Sequence, residues 1–359
     1  MINKILIINP FGIGDVLFSV PLLKAIKKKY PLSTITYMCN KRTEGILNNN
    51  PSISNIYIFE KDDYRAIWKE SRIKCLKKLW GLVSSIRKFK YDVVVDMSLG
   101  YIYSLVLAVF AGIRMRVGFN YRARGRFLTH KIDIEGFDKK HVIEYYLGLG
   151  KFLDLDLQDK ETEIMVSKDD AVWAERFLEE HGIFKEDKIC GMIPGCGASW
   201  GKDADYRRWP ARKFAEVADR ILSQYKYKVL IFGDSKEIDL CARVQSEMRQ
   251  SSILVCGKTT LGQLAALLDK CALVVTNDGG PLHMAIALKK KTVAIFGPVD
   301  ENIYGPYPPN RRYITVASDE PCRPCYKNFK YVKCETVDCL NNITADKVIA
   351  AAEKLIGQN

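Results

Sequence analysis

A chain of 359 residues with a net charge of +13 exceeds one ordinary domain, and an apolar share of 48% is that of a globular protein rather than a disordered one. The excess charge is lopsided: residues 1–150 hold 25 Lys and Arg against 12 Asp and Glu, whereas 151–359 hold 30 of each. No run approaches the ~18 apolar residues of a membrane span, the opening apolar run is too short for a secretory leader, and eleven cysteines without a leader point to a reducing cytoplasm.

Read in chain order, the first half alternates. Residues 5–8 form a buried strand, and Phe11-Gly12-Ile13-Gly14-Asp15 turns from it into a helix over 16–29, ended by Tyr30-Pro31. That turn resembles the start of a dinucleotide fingerprint, but Leu17 stands where its third glycine belongs, so the fingerprint is not met. Asp15 is the distinctive residue: either an N-cap or a general base facing an interdomain cleft. Strands follow at 34–38, 56–59 and 93–96. Residues 65–90 read as one or two basic amphipathic helices, and 101–113 as a buried helix. A basic loop carries Arg122, Arg124 and Arg126, and a helix over 141–153 leads to an acidic, polar stretch. The expected division is 1–160 and 161–359.

The second half restarts the alternation: strands near 189–193, 229–232, 253–255, 273–275 and 292–296, with helices at 170–181, 211–224, 238–248 and 261–268. Repeated β–α alternation predicts parallel sheets covered by helices on both faces, so the fold class is α/β with two Rossmann-like, doubly wound domains. Open sheets of this kind take ligands at the carboxyl ends of their strands. Asn277-Asp278-Gly279-Gly280-Pro281 lies at such an end, with His283 one turn into the next helix: small residues and free N–H groups that suit a phosphate. The loop 194–210 combines glycines, the Ser199 hydroxyl and the cations Lys202, Arg207 and Arg208, which suit a pyrophosphate. Asp203 and Asp205 match a metal-binding DxD only in three letters and read better as solvated carboxylates. Glu237 either accepts from a ribose or merely starts a helix. Gly257-Lys258-Thr259 is not a Walker loop, because Ser252 occupies the required glycine.

Seven scattered cysteines read as small core hydrophobes. Cys322, Cys325, Cys334 and Cys339 stand apart. Four thiols within eighteen residues suit a structural zinc or iron, packed free thiols, or disulfides and redox use.

Together these motifs resemble glycosyltransferase family 9, the ADP-heptose:lipopolysaccharide heptosyltransferases. The resemblance rests on ILIINPFGIGDVLFSVPLLKAIKKKYP, on PGCGASWGKDADYRRWPARKFAEVADRI and on GKTTLGQLAALLDKCALVVTNDGGPLHMAIALKKKTVAIFGPVDENIYGPY, and PCRPCYK is similar to a variant within the family. It implies a GT-B fold, with the acceptor on the first domain and ADP-heptose on the second, and inverting transfer without a catalytic metal. Asp15 matches the family's catalytic base. Gly14, Ser199, Lys202, Arg207, Glu237, Asp278, Gly279, Gly280 and His283 would bind the donor, with Arg207 where the family usually has lysine and 201–206 an insertion of unassigned role. Arg122, Arg124 and Arg126 would meet an anionic, Kdo-lipid A type acceptor, and residues 65–90 the bacterial inner-membrane surface, the enzyme being cytoplasmic and peripheral. The alternatives are the same fold acting on a protein or another surface glycan, or using another nucleotide sugar. More remote are an epimerase and a nucleic-acid-binding protein; no nucleic-acid module is recognisable in the chain.

Overall fold

The computed structural model describes residues 2–332 and 334–358, without the side chains of residues 198–200, 202 and 331. It divides into two compact units, Met1–Phe137 with Val142–Lys160, and Asp138–His141 with Glu161–Asn359. Each is a doubly wound sheet with helical crossovers. The four residues Asp138–His141 belong to the second unit although residues of the first flank them on both sides.

Among the described residues the first unit's sheet has the order β3-β2-β1-β4-β5-β6, all parallel. Its strands are β1 Lys4–Ile8, β2 Thr34–Cys39, β3 Asn55–Ile58, β4 Val93–Asp96, β5 Met115–Tyr121 and β6 His130–Ile134. The apolar runs of β1 and β4 are buried on both faces, as parallel strands demand, and pair centrally with Ile8 opposite Asp96. Strand order reverses between β1 and β4, so the crevice of the first unit opens over their carboxyl ends.

The second sheet repeats the plan as β12-β11-β10-β7-β8-β9, also parallel. Its strands are β7 Ile189–Ile193, β8 Lys228–Ile231, β9 Ile253–Leu254, β10 Leu273–Asn277, β11 Thr292–Phe296 and β12 Tyr313–Ala317. Here the order reverses between β7 and β10. A hairpin, β13 Tyr326–Lys327 and β14 Lys330–Tyr331, follows near the cysteine-rich segment.

Several elements differ from expectation. The helix expected over 16–29 is two, Ile13–Phe18 and Val20–Lys29. The break falls at Ser19, whose hydroxyl donates to the Val16 carbonyl and lies 2.7 Å from the Tyr37 hydroxyl, while Pro21 has no N–H to continue the first ladder. The basic segment, by contrast, is the pair of helices that the sequence allowed, Lys61–Glu70 and Arg72–Phe89. The segment expected as a buried helix over 101–113 forms a wide-turned helix, Tyr103–Val109, whose flanks Tyr101, Ile102 and Phe110 are exposed. Among the described residues no helix is long and apolar enough to cross a membrane.

Candidate functional site

In the first unit, the turn after β1 is held from below by two carboxamides. Asn9 accepts from the Phe11 N–H and donates to the Asp15 carbonyl, and Asn40, just past β2, donates to the Pro10 and Phe11 carbonyls. Gly12 takes the cap position of helix Ile13–Phe18 and Asp15 its first turn, so Asp15 is not the N-cap. Gly14, grouped in sequence with the donor residues, lies in this same turn of the first unit.

The Tyr146 hydroxyl, from helix Val142–Gly148, donates to Asp15 Oδ1 at 3.1 Å. Burial pushes the Asp15 carboxyl up to about 6, and the bonds from Tyr146 and the backbone N–H groups only partly oppose it. A half-buried carboxylate poised near neutrality, at the point where strand order reverses, is suited to taking a proton. Across the crevice, Asp96 at the end of β4 is buried and lifted to about 7 by burial, against bonds from the Ser98 hydroxyl and N–H. Asn9, Asn40, Tyr146 and Asp96 were not anticipated from sequence.

Arg122, Arg124 and Arg126 are exposed and follow β5, whose carboxyl end shares the sheet edge with that of β1, two strands and so ~10 Å away. Arg122 and Arg124 stack on the Tyr121 ring, and Arg126 on Tyr101 and Phe127. The stacking holds the guanidiniums outward and leaves their edges open to an anion.

In the second unit, the loops after β7 and β10 meet over the point where strand order reverses there. Asn277 ties them: its side chain donates to the Pro194 carbonyl at 2.7 Å and accepts from the Trp209 N–H. Glu237, at the start of helix Ile238–Glu247, turns its buried carboxylate under the first loop. It accepts from the N–H groups of Cys196, Gly197 and Asp234 and from Arg208 Nη2. A side chain at Gly195 would lie 2.2 Å from that carboxylate, and one at Gly279 2.5 Å from the Cys196 carbonyl, so glycine is required at both by close approach.

Arg207 Nη2 lies 2.5 Å from Asp278 Oδ2, both groups almost wholly buried. Burial raises the Asp278 carboxyl and the guanidinium opposes this. His283, one turn into helix Gly280–Ala287, is pushed down to about 3 by burial and by the charges of His141 and Arg207, so its imidazole stays neutral at physiological pH. Arg207, Asp278, Gly279, Gly280 and His283 are therefore gathered at one strand end, with a cation and a helix N-terminus to receive an anion. The side chains of Ser199 and Lys202 lie outside the described residues. Asp205 is exposed and pairs with Arg208 Nη1.

The seven scattered cysteines are all buried and free. Cys322, Cys325, Cys334 and Cys339, also free, line one small cavity together with Tyr206 and Pro298, and the Val337 N–H donates to the Cys334 sulfur. Among the described residues, however, no group of three or more His, Cys, Asp or Glu side chains is arranged to hold a metal ion.

Two parallel, doubly wound units, each opening a crevice over its own strand reversal, define the GT-B class of glycosyltransferases. The family model for glycosyltransferase family 9 (heptosyltransferase) matches residues 79–335, and the chain belongs to that family and is a glycosyltransferase. It is 27% identical over 327 residues to lipopolysaccharide heptosyltransferase 2 of Escherichia coli K12, covering 87% of this chain and 88% of that one. It is 24% identical to lipopolysaccharide heptosyltransferase 3 of the same strain, over 96% of both chains. The crystal structure of a family 9 glycosyl transferase from Veillonella parvula DSM 2008 superposes with a TM-score of 0.81 at 25% identity, covering 99% of this chain and 98% of that one.

Proposed function

We propose that the protein transfers a heptose, with inversion, from ADP-heptose to the inner core of a Kdo-lipid A type lipopolysaccharide acceptor. The observation that carries this is Asp15, a half-buried carboxyl lifted to about 6 at the strand reversal of the basic unit. The names of the relatives support the choice of sugar and acceptor.

The first unit binds the acceptor and the second the nucleotide sugar. Asp15 accepts the proton of an acceptor hydroxyl as that oxygen bonds to the anomeric carbon. The bond from that carbon to the diphosphate breaks on the opposite face, and its electron pair leaves with ADP. Arg207 and the N–H groups at Gly279 and Gly280 offset the charge gathering on the departing diphosphate, with Ser199 and Lys202 contributing from the same loop. His283, neutral, donates to a phosphate or sugar oxygen. Glu237 acts through the loop it clamps. Arg122, Arg124 and Arg126 meet the acceptor's carboxylates and phosphates. The reaction takes place at the cytoplasmic face of the inner membrane, with the enzyme bound peripherally.

A structural zinc or iron at Cys322, Cys325, Cys334 and Cys339 belongs to the same reading. The donor set suits either metal, but ligation requires the four thiols to converge further than they do here. Metal analysis of the purified protein and of Cys322→Ser tests it, and a metal-free, fully folded wild type rules it out.

The principal test is ADP release from ADP-heptose with and without Kdo-lipid A, for wild type and Asp15→Ala. Acceptor-dependent release, lost in the variant while ADP still binds, is the expected result. No release by a wild type that binds ADP would overturn the assignment of donor and acceptor.

A further inference from the structure

The cysteine-rich segment carries a buried cation as well as thiols. Arg323 stands between Cys322 and Cys325, and its side chain is only 10% exposed. All three guanidinium nitrogens are engaged at the carboxyl edge of the second sheet. Nε donates to the Gly297 carbonyl at 2.6 Å, Nη1 to the Ser318 carbonyl at 2.7 Å and Nη2 to Glu301 Oε2 at 2.8 Å. Gly297 is the first residue after β11 and Ser318 the first after β12, so one side chain ties the ends of two neighbouring strands. The backbone adds to the tie, because the N–H groups of Cys325 and Tyr326 both donate to the Pro298 carbonyl. Gly297 is also pressed against Leu340, whose Cγ would lie 2.6 Å from a Cβ there. A planar guanidinium holds three acceptors in fixed directions, which an ammonium does not.

That edge borders the anion site. β11 pairs with β10, and the Asp278 N–H, one residue past β10, donates to the Ile295 carbonyl of β11 at 3.0 Å. Asp278 in turn holds Arg207. A second contact reaches the same place: Pro298 and Tyr206, the residue before Arg207, line one cavity with the four cysteines. The segment around Arg323 therefore bears on both partners of the Arg207–Asp278 pair.

We propose that Arg323 is a positioning residue for the nucleotide-sugar site. By holding the ends of β11 and β12 it fixes Asp278 and, through it, the Arg207 guanidinium that receives the diphosphate. It carries out no step of the transfer itself. The proposal deepens the reading of the second unit as the donor side, and it rests on that reading.

The test uses full-length protein with ADP as the probe, and binding is read by calorimetry well below each melting temperature. Arg323→Ala leaves three acceptors unpaired. Arg323→Lys keeps the charge without the fork, and it alone decides if the alanine variant does not fold. The expected result is ADP binding weakened about tenfold in Arg323→Ala and less in Arg323→Lys, with the KM for ADP-heptose rising in parallel and the KM for Kdo-lipid A within about twofold of wild type. A role confined to stability would lower the melting temperature and leave the ADP affinity of the folded protein unchanged. That result overturns the proposal, and so do equal rises in the two KM values. A wild type that binds no ADP overturns the donor reading and this proposal with it. Failure of heptose transfer by a wild type that binds ADP strikes the transfer reading alone, because the ADP affinities decide the role of Arg323 by themselves.

Discussion

Asp15 is costly to fold around. Its carboxyl ionises at about 6 in the folded chain and near its ordinary value of 3.8 in the unfolded one, so the folded state holds the proton more tightly between those values. Stability contributed by this group therefore falls as pH rises from about 4 to 6 and stays low above. Asp15→Asn should raise stability at pH 7.5 by about 1–3 kcal/mol and have little effect near pH 4, while turnover falls by roughly 10²–10⁴. Thermal melts at the two pH values, beside steady-state rates, check both. The Tyr146 hydroxyl holds the Asp15 carboxyl down, so in Tyr146→Phe it should rise further. The acid limb of the pH–rate profile, near 6 in wild type, should then move to higher pH, and an unmoved limb would detach it from Asp15. Asp15 was legible in sequence because its turn is local: strand, two glycines, carboxylate, helix. Tyr146 was not, because it reaches Asp15 across 131 residues and nothing in a helical tyrosine announces that partner. Glu237 was ambiguous for a related reason. A carboxylate at a helix start reads the same in sequence whether it faces solvent or, as here, takes four hydrogen bonds in the interior.

At the scale of elements, the loop after β7 is shaped by what lies beneath it. Gly195→Ala would set a methyl group 2.2 Å from the Glu237 carboxylate, and that carboxylate cannot retreat without releasing the N–H groups of Cys196 and Gly197. The substitution should cost about 1–3 kcal/mol and raise the KM for the nucleotide sugar at least tenfold, with a smaller effect on the acceptor KM; calorimetry and kinetics with each substrate varied in turn distinguish the two. Sequence reading recovered β1, β4, β7, β10 and β11, whose continuous apolar runs leave little room for another assignment, and also β2, β3, β8 and β9. Of the strands in the two large sheets it missed β5, whose apolar positions are interrupted by Arg116, Gly118 and Asn120, and the edge strands β6 and β12. β6, His-Lys-Ile-Asp-Ile, is largely exposed, and β12 is half-buried, so neither presents a sustained run. The break at Ser19 was partly legible in Pro21, but the contact of the Ser19 hydroxyl with Tyr37 was not, because Tyr37 comes from β2.

At the scale of the whole molecule, the excess charge resides in residues 1–150 and the remainder is balanced. If the first unit takes an anionic acceptor and the second takes ADP-heptose, the two affinities should respond differently to ions. Raising salt from roughly 0.05 to 0.5 M should weaken acceptor binding by about tenfold or more and ADP binding much less. Titrations of each ligand at both salt concentrations read this directly, and equal losses would count against the division of labour.

The four residues Asp138–His141 bear on how such a protein can change over time. They are embedded in the sequence of the first unit but belong to the second, where the His141 ring stacks on Tyr307 at 4.3 Å and its Nε2 lies 3.0 Å from the Gly305 carbonyl. A gene crossover after residue 160 would therefore join residues 161–359 from one parent to a His141 segment from the other. Where the parents differ at position 141 or 307, such a hybrid loses the ring contact even when each unit is sound. Exchange of whole units between relatives is therefore cleaner when residues 138–141 travel with 161–359.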